Sequence, residues 1–291
     1  MQVGADSRRI AAGILGEDTR RMAAGIRSED NQGPRGATVG ALFSRPLTTM
    51  TLSILTSDQH RSVAVDTRAR PEYGDTVNRA VALSAEFNEL HREFPLLLRK
   101  TDEAPGFIAH AILGFEKDEN LFVENERWIS AHLPAAMARG PFSLGYIRAE
   151  ESEAQAAAAL RVMIDEKHPR LRADGQPVFL PLGGETPYLQ GIKRVLQTVD
   201  AGMRADRVFY RELVSMDLLE EVKIQISVFP ELRYDFSGYY SINQERFAAL
   251  GADPLLKLHR AGLLGLVYFL ISSLGNFQKL INLKIARLQA V

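Results

Sequence analysis

Cysteine is absent from the 291 residues, which excludes a disulfide framework, thiol catalysis and zinc held by thiolates, and points to a reducing compartment. Neither sign of charge dominates. With 35 Lys+Arg against 36 Asp+Glu and a formal net charge of -1, the chain as a whole offers no electrostatic argument for nucleic acid or anionic lipid. Long apolar runs are also missing. The closest, Ala261 to Ile271, contains Gly262 and Gly265 and ends at Ser272 and Ser273; that is the length of a core helix, short of the ~18 apolar residues of a membrane span. No transmembrane segment is therefore expected. The short apolar run behind Arg8 and Arg9 stops at Gly16-Glu17-Asp18, so an export signal is not supported either. The expected location is the cytoplasm, with surface association by a signal-independent route left open.

The familiar chemical motifs are missing as well. There is no Gly-x-x-x-x-Gly-Lys-[Ser/Thr] phosphate loop, no Gly-x-Gly-x-x-Gly fingerprint and no Gly-x-Ser-x-Gly elbow. The acidic cluster Glu116, Asp118, Glu119 lacks the calcium-loop pattern. No cofactor and no metal are expected.

What is present begins with a tandem duplication. The twelve residues from Arg8 to Thr19 recur from Arg20 to Asn31 with eight identities, too few copies to bury a core of their own. This reads as a disordered tail over residues 1–70, with Met50 a candidate true start. Patterning sets in later, and an α+β domain is expected over 77–291, with a possible internal boundary near 166–176.

Within that domain Ser84 can cap a short helix to Glu93, and Leu96-Leu97-Leu98 and Phe107–Leu113 read as a strand pair around the Asp102–Gly106 turn. Leu121–Val123 reads as a third strand, Ser130–Arg139 as a short helix and Phe142–Ile147 as a further strand. Glu150–Glu166 is alanine-rich and reads as helical, and Pro177–Leu180 as a strand. Thr186-Pro187 opens a helix with Leu189, Ile192, Leu196, Val199 and Met203 on one face. A separate partner helix is expected from Asp206 to Leu218. Val222, Ile224, Ile226 and Val228 alternate with Lys223, Gln225 and Ser227, and the alternation resumes through Leu232, Tyr234, Phe236, Tyr240 and Ile242. That is an antiparallel hairpin with one apolar and one wet face. Helices from Asn243 to His259 and from Leu274 to Leu288 close the chain. Hairpins with helices gathered before and after them make the fold class α+β, not a βαβ repeat.

Several residues could carry chemistry. His91-Arg92-Glu93 has the His-x-carboxylate form of iron oxygenases, but it closes a helix instead of a barrel strand. His110 sits inside an apolar strand and reads as a core histidine. Gly183-Gly184-Glu185 leads into a helix N-terminus, where Glu185 would repel an anion and plain capping by Thr186 suffices. The best candidate ligand segment runs from Trp128 to Arg139 and Phe142, where an aromatic ring, a guanidinium and rigid turns could recognise a planar or anionic group. The same residues would equally make a packed corner. The candidate ligand-binding set is Trp128, Arg139, Phe142 and Thr186, with catalytic residues unknown.

Three stretches together resemble the bacterial SapC family. The first runs from Phe94-Pro95 through Gly114-Phe115, Asn120–Val123, Arg127-Trp128 and Leu133–Ala135 to Arg139-Gly140-Pro141-Phe142. The second is Leu218-Leu219 with the hairpin and Ser237–Ile242, and the third is Leu258–Leu264 with Ser273–Phe277. The resemblance covers about Val77 to Leu288. It implies an accessory or interaction protein with a protein partner, in a setting of bacterial surface layers or outer-membrane nutrient uptake, and it implies no established reaction. The alternative reading is a small-molecule or peptide binder, or an enzyme acting on amino-acid or peptide substrates. The sequence leaves the oligomeric state open.

Overall fold

The structure, a computed structural model, describes residues 51–102, 106–147 and 159–290. In chain order it begins with β1 (Leu52–Ile54), α1 (Ser57–His60), β2 (Ala64–Val65), β3 (Arg79–Ala82), α2 (Phe87–Leu90), β4 (Leu96–Lys100) and β5 (Phe107–Ile112). Next come β6 (Val123–Glu124), β7 (Arg127–Trp128), α3 (Ala135–Ala138), β8 (Phe142–Ile147), β9 (Ala159–Asp165) and β10 (Gln176–Pro177). The long helix α4 (Pro187–Ser215), the hairpin β11 (Leu219–Phe229) and β12 (Leu232–Ile242), and helices α5 (Gln244–Ala248), α6 (Ala252–Arg260), α7 (Leu264–Ser273) and α8 (Phe277–Gln289) complete it. The fold class is α+β.

The main sheet is antiparallel, with strand order β11-β12-β4-β5-β3. Burial along β4 explains its sequence: Leu96, Leu97 and Leu98 are all buried, because an interior strand covered on both faces needs apolar residues at every position. The outer strand β11 instead keeps Lys223 and Gln225 exposed while Ile226 and Val228 are buried. Helix α7 packs against β4 and β12, and α8 against β11. From α8, Phe277 meets Phe236 edge to face at 5.5 Å.

The expected strand alternation holds until a bulge. Val222 faces Tyr239 but Ile224 faces Phe236, so Ser237 and Gly238 together stand against Lys223, with Gly238 at φ 70°. A bulge of this kind shifts every later side chain to the other face. Tyr239 is therefore buried where Tyr240 was expected, and Tyr240 is half-buried against Phe107.

Helix α4 is one continuous element of 29 residues, about 43 Å long, and not two partner helices divided before Asp206. Thr186 caps it by accepting from Leu189 N, and Pro187 is its first residue. Its Gly202 is no break: it admits the Leu83 side chain, whose Cβ would lie 2.7 Å from any Cβ added there. The first half of α4 gives Leu189, Ile192 and Leu196 to a smaller core with Phe142, Ile164 and Val178, and the second half gives Phe209, Tyr210 and Leu213 to the main core.

Other expectations are corrected. Residues 51–70 are not tail-like: β1 pairs with β9 and β2 with β10, partners too distant in sequence to show in the local pattern, while residues 1–50 lie outside the described residues. The helix expected over Glu150–Glu166 is, from Ala159, the central strand of the β1-β9-β8 sheet; residues 148–158 lie outside the described residues. The helix expected from Ser130 shrinks to Ala135–Ala138, because Pro134 disfavours helical geometry at Leu133. The strand expected at Leu121 begins only at Val123 and forms a tight hairpin with β7, turned by Asn125 and Glu126 at φ 49° and 60°. Of Pro177–Leu180 only Pro177 lies in a strand, and Asn243–His259 divides into α5 and α6.

The helical stretch Leu264–Gln289 is long and apolar enough to cross a membrane by length and composition, with mean hydropathy 1.3. Two of its three cations turn toward the 116–123 segment here. Lys284, buried, donates to Glu116 Oε1 at 2.8 Å and Glu119 Oε1 at 2.7 Å, and Arg287 donates to the Asn120 and Val123 carbonyls.

Candidate functional site

Of the four candidate ligand residues, three gather around the smaller core. Arg139, buried at the end of α3, donates from Nη1 to the Phe142 carbonyl at 2.9 Å, and burial lowers its guanidinium to about 10, still protonated at neutral pH. Phe142 is fully buried with Tyr188 6.4 Å from its ring. Thr186 holds the N-terminus of α4 and donates to the Pro177 and Val178 carbonyls. Trp128 lies apart, half-buried between Phe94 and Phe122, its Nε1 donating to the His132 carbonyl at 2.8 Å.

An open groove of about 510 Å³ runs beside this set, lined by Ala135 and Ala138 of α3 and by Tyr188 and Arg194 of α4. Glu86 reaches its wall. Both Glu86 carboxylate oxygens are engaged, Oε1 accepting from Leu83 N at 3.1 Å and Oε2 from Ala135 N at 2.9 Å. Burial pushes Glu86 up to about 7, against those bonds, with the Asp206 charge adding to the rise. Asp206 accepts from Ser84 N at 2.9 Å and is pushed up to about 6, also by burial. These carboxylates hold backbone donors of the 83–86 turn and α3, so their shifts report burial without exposing a free acid or base.

His91 is similarly committed. His91 Nδ1 bonds the Phe87 carbonyl at 2.8 Å and the ring stacks on Phe269, while Glu93 pairs with Lys279. His110 is pushed down to about 3 by burial, and Arg79 and Arg99 act in the same direction; it stays neutral. Among the described residues no group of three or more His, Asp or Glu side chains is placed to hold a metal ion.

A second cavity was not foreseen from sequence. It has a volume of about 680 Å³ and runs along the outer edge of β11, from Glu220 to Gln225, with Asn243–Glu245 on one side and Leu274 and Phe277 at its apolar base. Strand order, which decides that β11 is an edge, is a long-range property. The only local signal is the Glu220-Glu221-x-Lys223 run within a strand, since charges are common on edges that must not aggregate.

Comparison with protein-family models finds a match described as SapC over residues 55–280. The chain belongs to the SapC family. The match spans most of both cores and the edge groove, and takes in α1 through the first four residues of α8. No curated protein and no solved structure matches this SapC chain significantly.

Proposed function

We propose that this SapC-family chain is a non-catalytic interaction protein that works by holding a protein partner. The observation that carries the reading is the groove along β11: an eleven-residue strand whose outer edge has no strand neighbour among the described residues, beside a cavity with an apolar base. Backbone groups presented in a row give affinity to any extended chain, and the adjoining cavity gives selectivity. A bacterial surface or an outer-membrane uptake assembly, the setting that family resemblance implies, is where we place the partner.

The test is a photo-crosslinking residue introduced at Gln225 in the native host, with Lys100, exposed elsewhere on the sheet, as control. A defined protein adduct from position 225 and none from position 100 is the expected result. Absence of any protein adduct at 225 overturns the reading. Fractionation of the same cells tests the setting, since recovery of the adduct solely with soluble cytosolic proteins removes the surface role.

A second reading, small-molecule binding, is favoured at one place, where Tyr188 and Arg194 face the open groove between α3 and α4. A ligand there would raise the melting temperature of the native protein and lose that effect in Arg194→Ala.

A further inference from the structure

Two arginines of the main sheet carry no counter-charge. Lys279, Lys284 and Arg170 each meet a carboxylate, whereas Arg79 on β3 and Arg99 on β4, both half-buried, form no ion pair among the described residues. Drawing a cation partly out of water without an opposite charge is costly. The pair is an exception that an anion would relieve.

Strand register gathers them around one histidine. On β5, His110 sits between Val81 of β3 and Leu97 of β4; Arg79 lies two residues before Val81 and Arg99 two after Leu97, and alternate residues of a strand share a face. All three side chains therefore leave the same face of the sheet, with His110 midway along the diagonal between the arginines. His110 is 6% exposed, and its Nδ1 has no hydrogen-bond partner. A buried polar atom left unbonded is itself unusual.

Tyr239 joins the group from the hairpin. The bulge at Gly238 turns it inward, where its hydroxyl oxygen accepts from Arg79 Nη1 at 3.3 Å and its ring lies beneath the Arg99 guanidinium, 5.3 Å from Cζ to the ring centre. Bulges recur next to functional sites, where they re-aim a side chain. With its oxygen already accepting, the Tyr239 hydroxyl keeps a proton to donate.

We propose that Arg79, Arg99, Tyr239 and His110 form a binding site for an oxyanion, the carboxylate or phosphate group of a small ligand. Each guanidinium presents a planar fork of N–H donors that matches either group. The Tyr239 hydroxyl adds a donor, and His110, in the tautomer that protonates Nδ1, adds another from the buried side. Burial, with both arginines adding to it, holds His110 neutral, so the positive charge of the site is that of the two guanidiniums. That charge disfavours a cationic ligand and is neutralised by an anionic one. The site is separate from the β11 groove and does not depend on the interaction reading.

Titrating the full chain with inorganic phosphate and, separately, with acetate tests this, at constant ionic strength with chloride as the balancing ion. Nuclear magnetic resonance of the imidazole groups is the readout, since the chain has six histidines. The His110 signal, identified by its loss in His110→Gln, should shift saturably at about 1 mM anion, while His259, exposed on α6, stays in place. The anion that binds more tightly names the ligand's group. Arg99→Gln should weaken binding roughly ten-fold and Tyr239→Phe roughly five-fold, each by loss of hydrogen bonds to the anion. Lys100→Gln, at the exposed neighbour of Arg99, should leave it unchanged. Tyr239→Phe removes a single oxygen and keeps the question decidable if Arg99→Gln does not fold. The proposal is overturned if neither anion moves His110, if chloride alone moves it equally, or if Lys100→Gln weakens binding as much as Arg99→Gln, which would mean attraction to surface charge in general.

Discussion

Asp206→Asn should stabilise this protein at pH 8, although it removes a charge that accepts a hydrogen bond in the structure. Asp206 lies 6% exposed on α4, with Ser84 N as donor at 2.9 Å, and burial lifts its carboxyl from 3.8 to about 6. A folded value above the unfolded one means that the folded state binds more protons between them, so the contribution is full at low pH and is lost as pH rises through about 6. At pH 8 the buried ion costs up to about 3 kcal/mol, from roughly two pK units at 1.36 kcal/mol each, and at pH 4.5 the cost falls to about 1 kcal/mol. Asparagine keeps a carbonyl oxygen for Ser84 N and carries no charge. Neighbouring Glu86, relieved of the Asp206 charge that helps to raise it, should also titrate lower. Because His110, pushed down to about 3, opposes these carboxylates below its ordinary 6.5, the informative quantity is the difference between the two proteins and not either pH profile alone. Urea melts of both at pH 8 and pH 4.5 give that difference. An Asn variant less stable than the parent at pH 8, or a difference that ignores pH, would refute the reasoning and mean that the carboxylate is held by something stronger than one amide.

The register of the hairpin can be checked in the same assay: Ile226→Ala, at a fully buried site, should cost about 2–5 kcal/mol, while Gln225→Ala, exposed, should stay within about 0.5 kcal/mol. Two glycines of α4 should respond in opposite directions in thermal melts. Gly202→Ala drives a Cβ to 2.7 Å from Leu83 Cβ and should destabilise by about 1–3 kcal/mol, whereas Gly191→Ala, meeting only the tip of Arg194 at 4.0 Å, should stabilise by about 0.5–1 kcal/mol. Lys284→Ala removes the one cation held between Glu116 and Glu119. It should cost about 3 kcal/mol near neutral pH and less in acid, where protonated carboxylates need no partner.

The parts of the fold legible in the sequence were those written locally. The β11/β12 hairpin showed as strict alternation, the start of α4 as Thr186-Pro187, and β4 as an uninterrupted leucine run, each a short-range signature of period, cap or double burial. What did not show depended on distant partners. Val162 and Ile164 do alternate in the β9 sequence, but the alanines before them outweigh that signal, and the strand is fixed by β1 and β8, over a hundred residues apart in the first case. The bulge at Gly238 moved Tyr239 inward because glycine permits the left-handed turn without announcing on which strand the extra residue falls. The candidate site divides in the same way. Thr186 was readable as a cap, and the nearness of Arg139 to Phe142 followed from their spacing. The edge groove was not readable, since whether a strand is inner or outer depends on which strands pair.

The groove and the buried Asp206 are linked by one mechanical element. Helix α4 carries Asp206 in its second half, fixes the turn at Ser84 by a polar contact to Asp206 and at Leu83 by an apolar contact to Gly202, and runs from the smaller core into the main core. The chain leaves α4 at Ser215 and enters β11 at Leu219, and the join is held by Leu218 N donating to the Leu213 carbonyl and by Asn243 N donating to the Leu218 carbonyl. A half-buried strand at a sheet edge would ordinarily fray, because it lacks bonds on one side. Here its entry is clamped to a helix whose length is buried in two cores, so the edge can remain unpaired and still be held in register. That combination, a row of backbone groups without a strand neighbour among the described residues on a rigid support, would lower the ordering cost of holding an extended chain under the proposed interaction role.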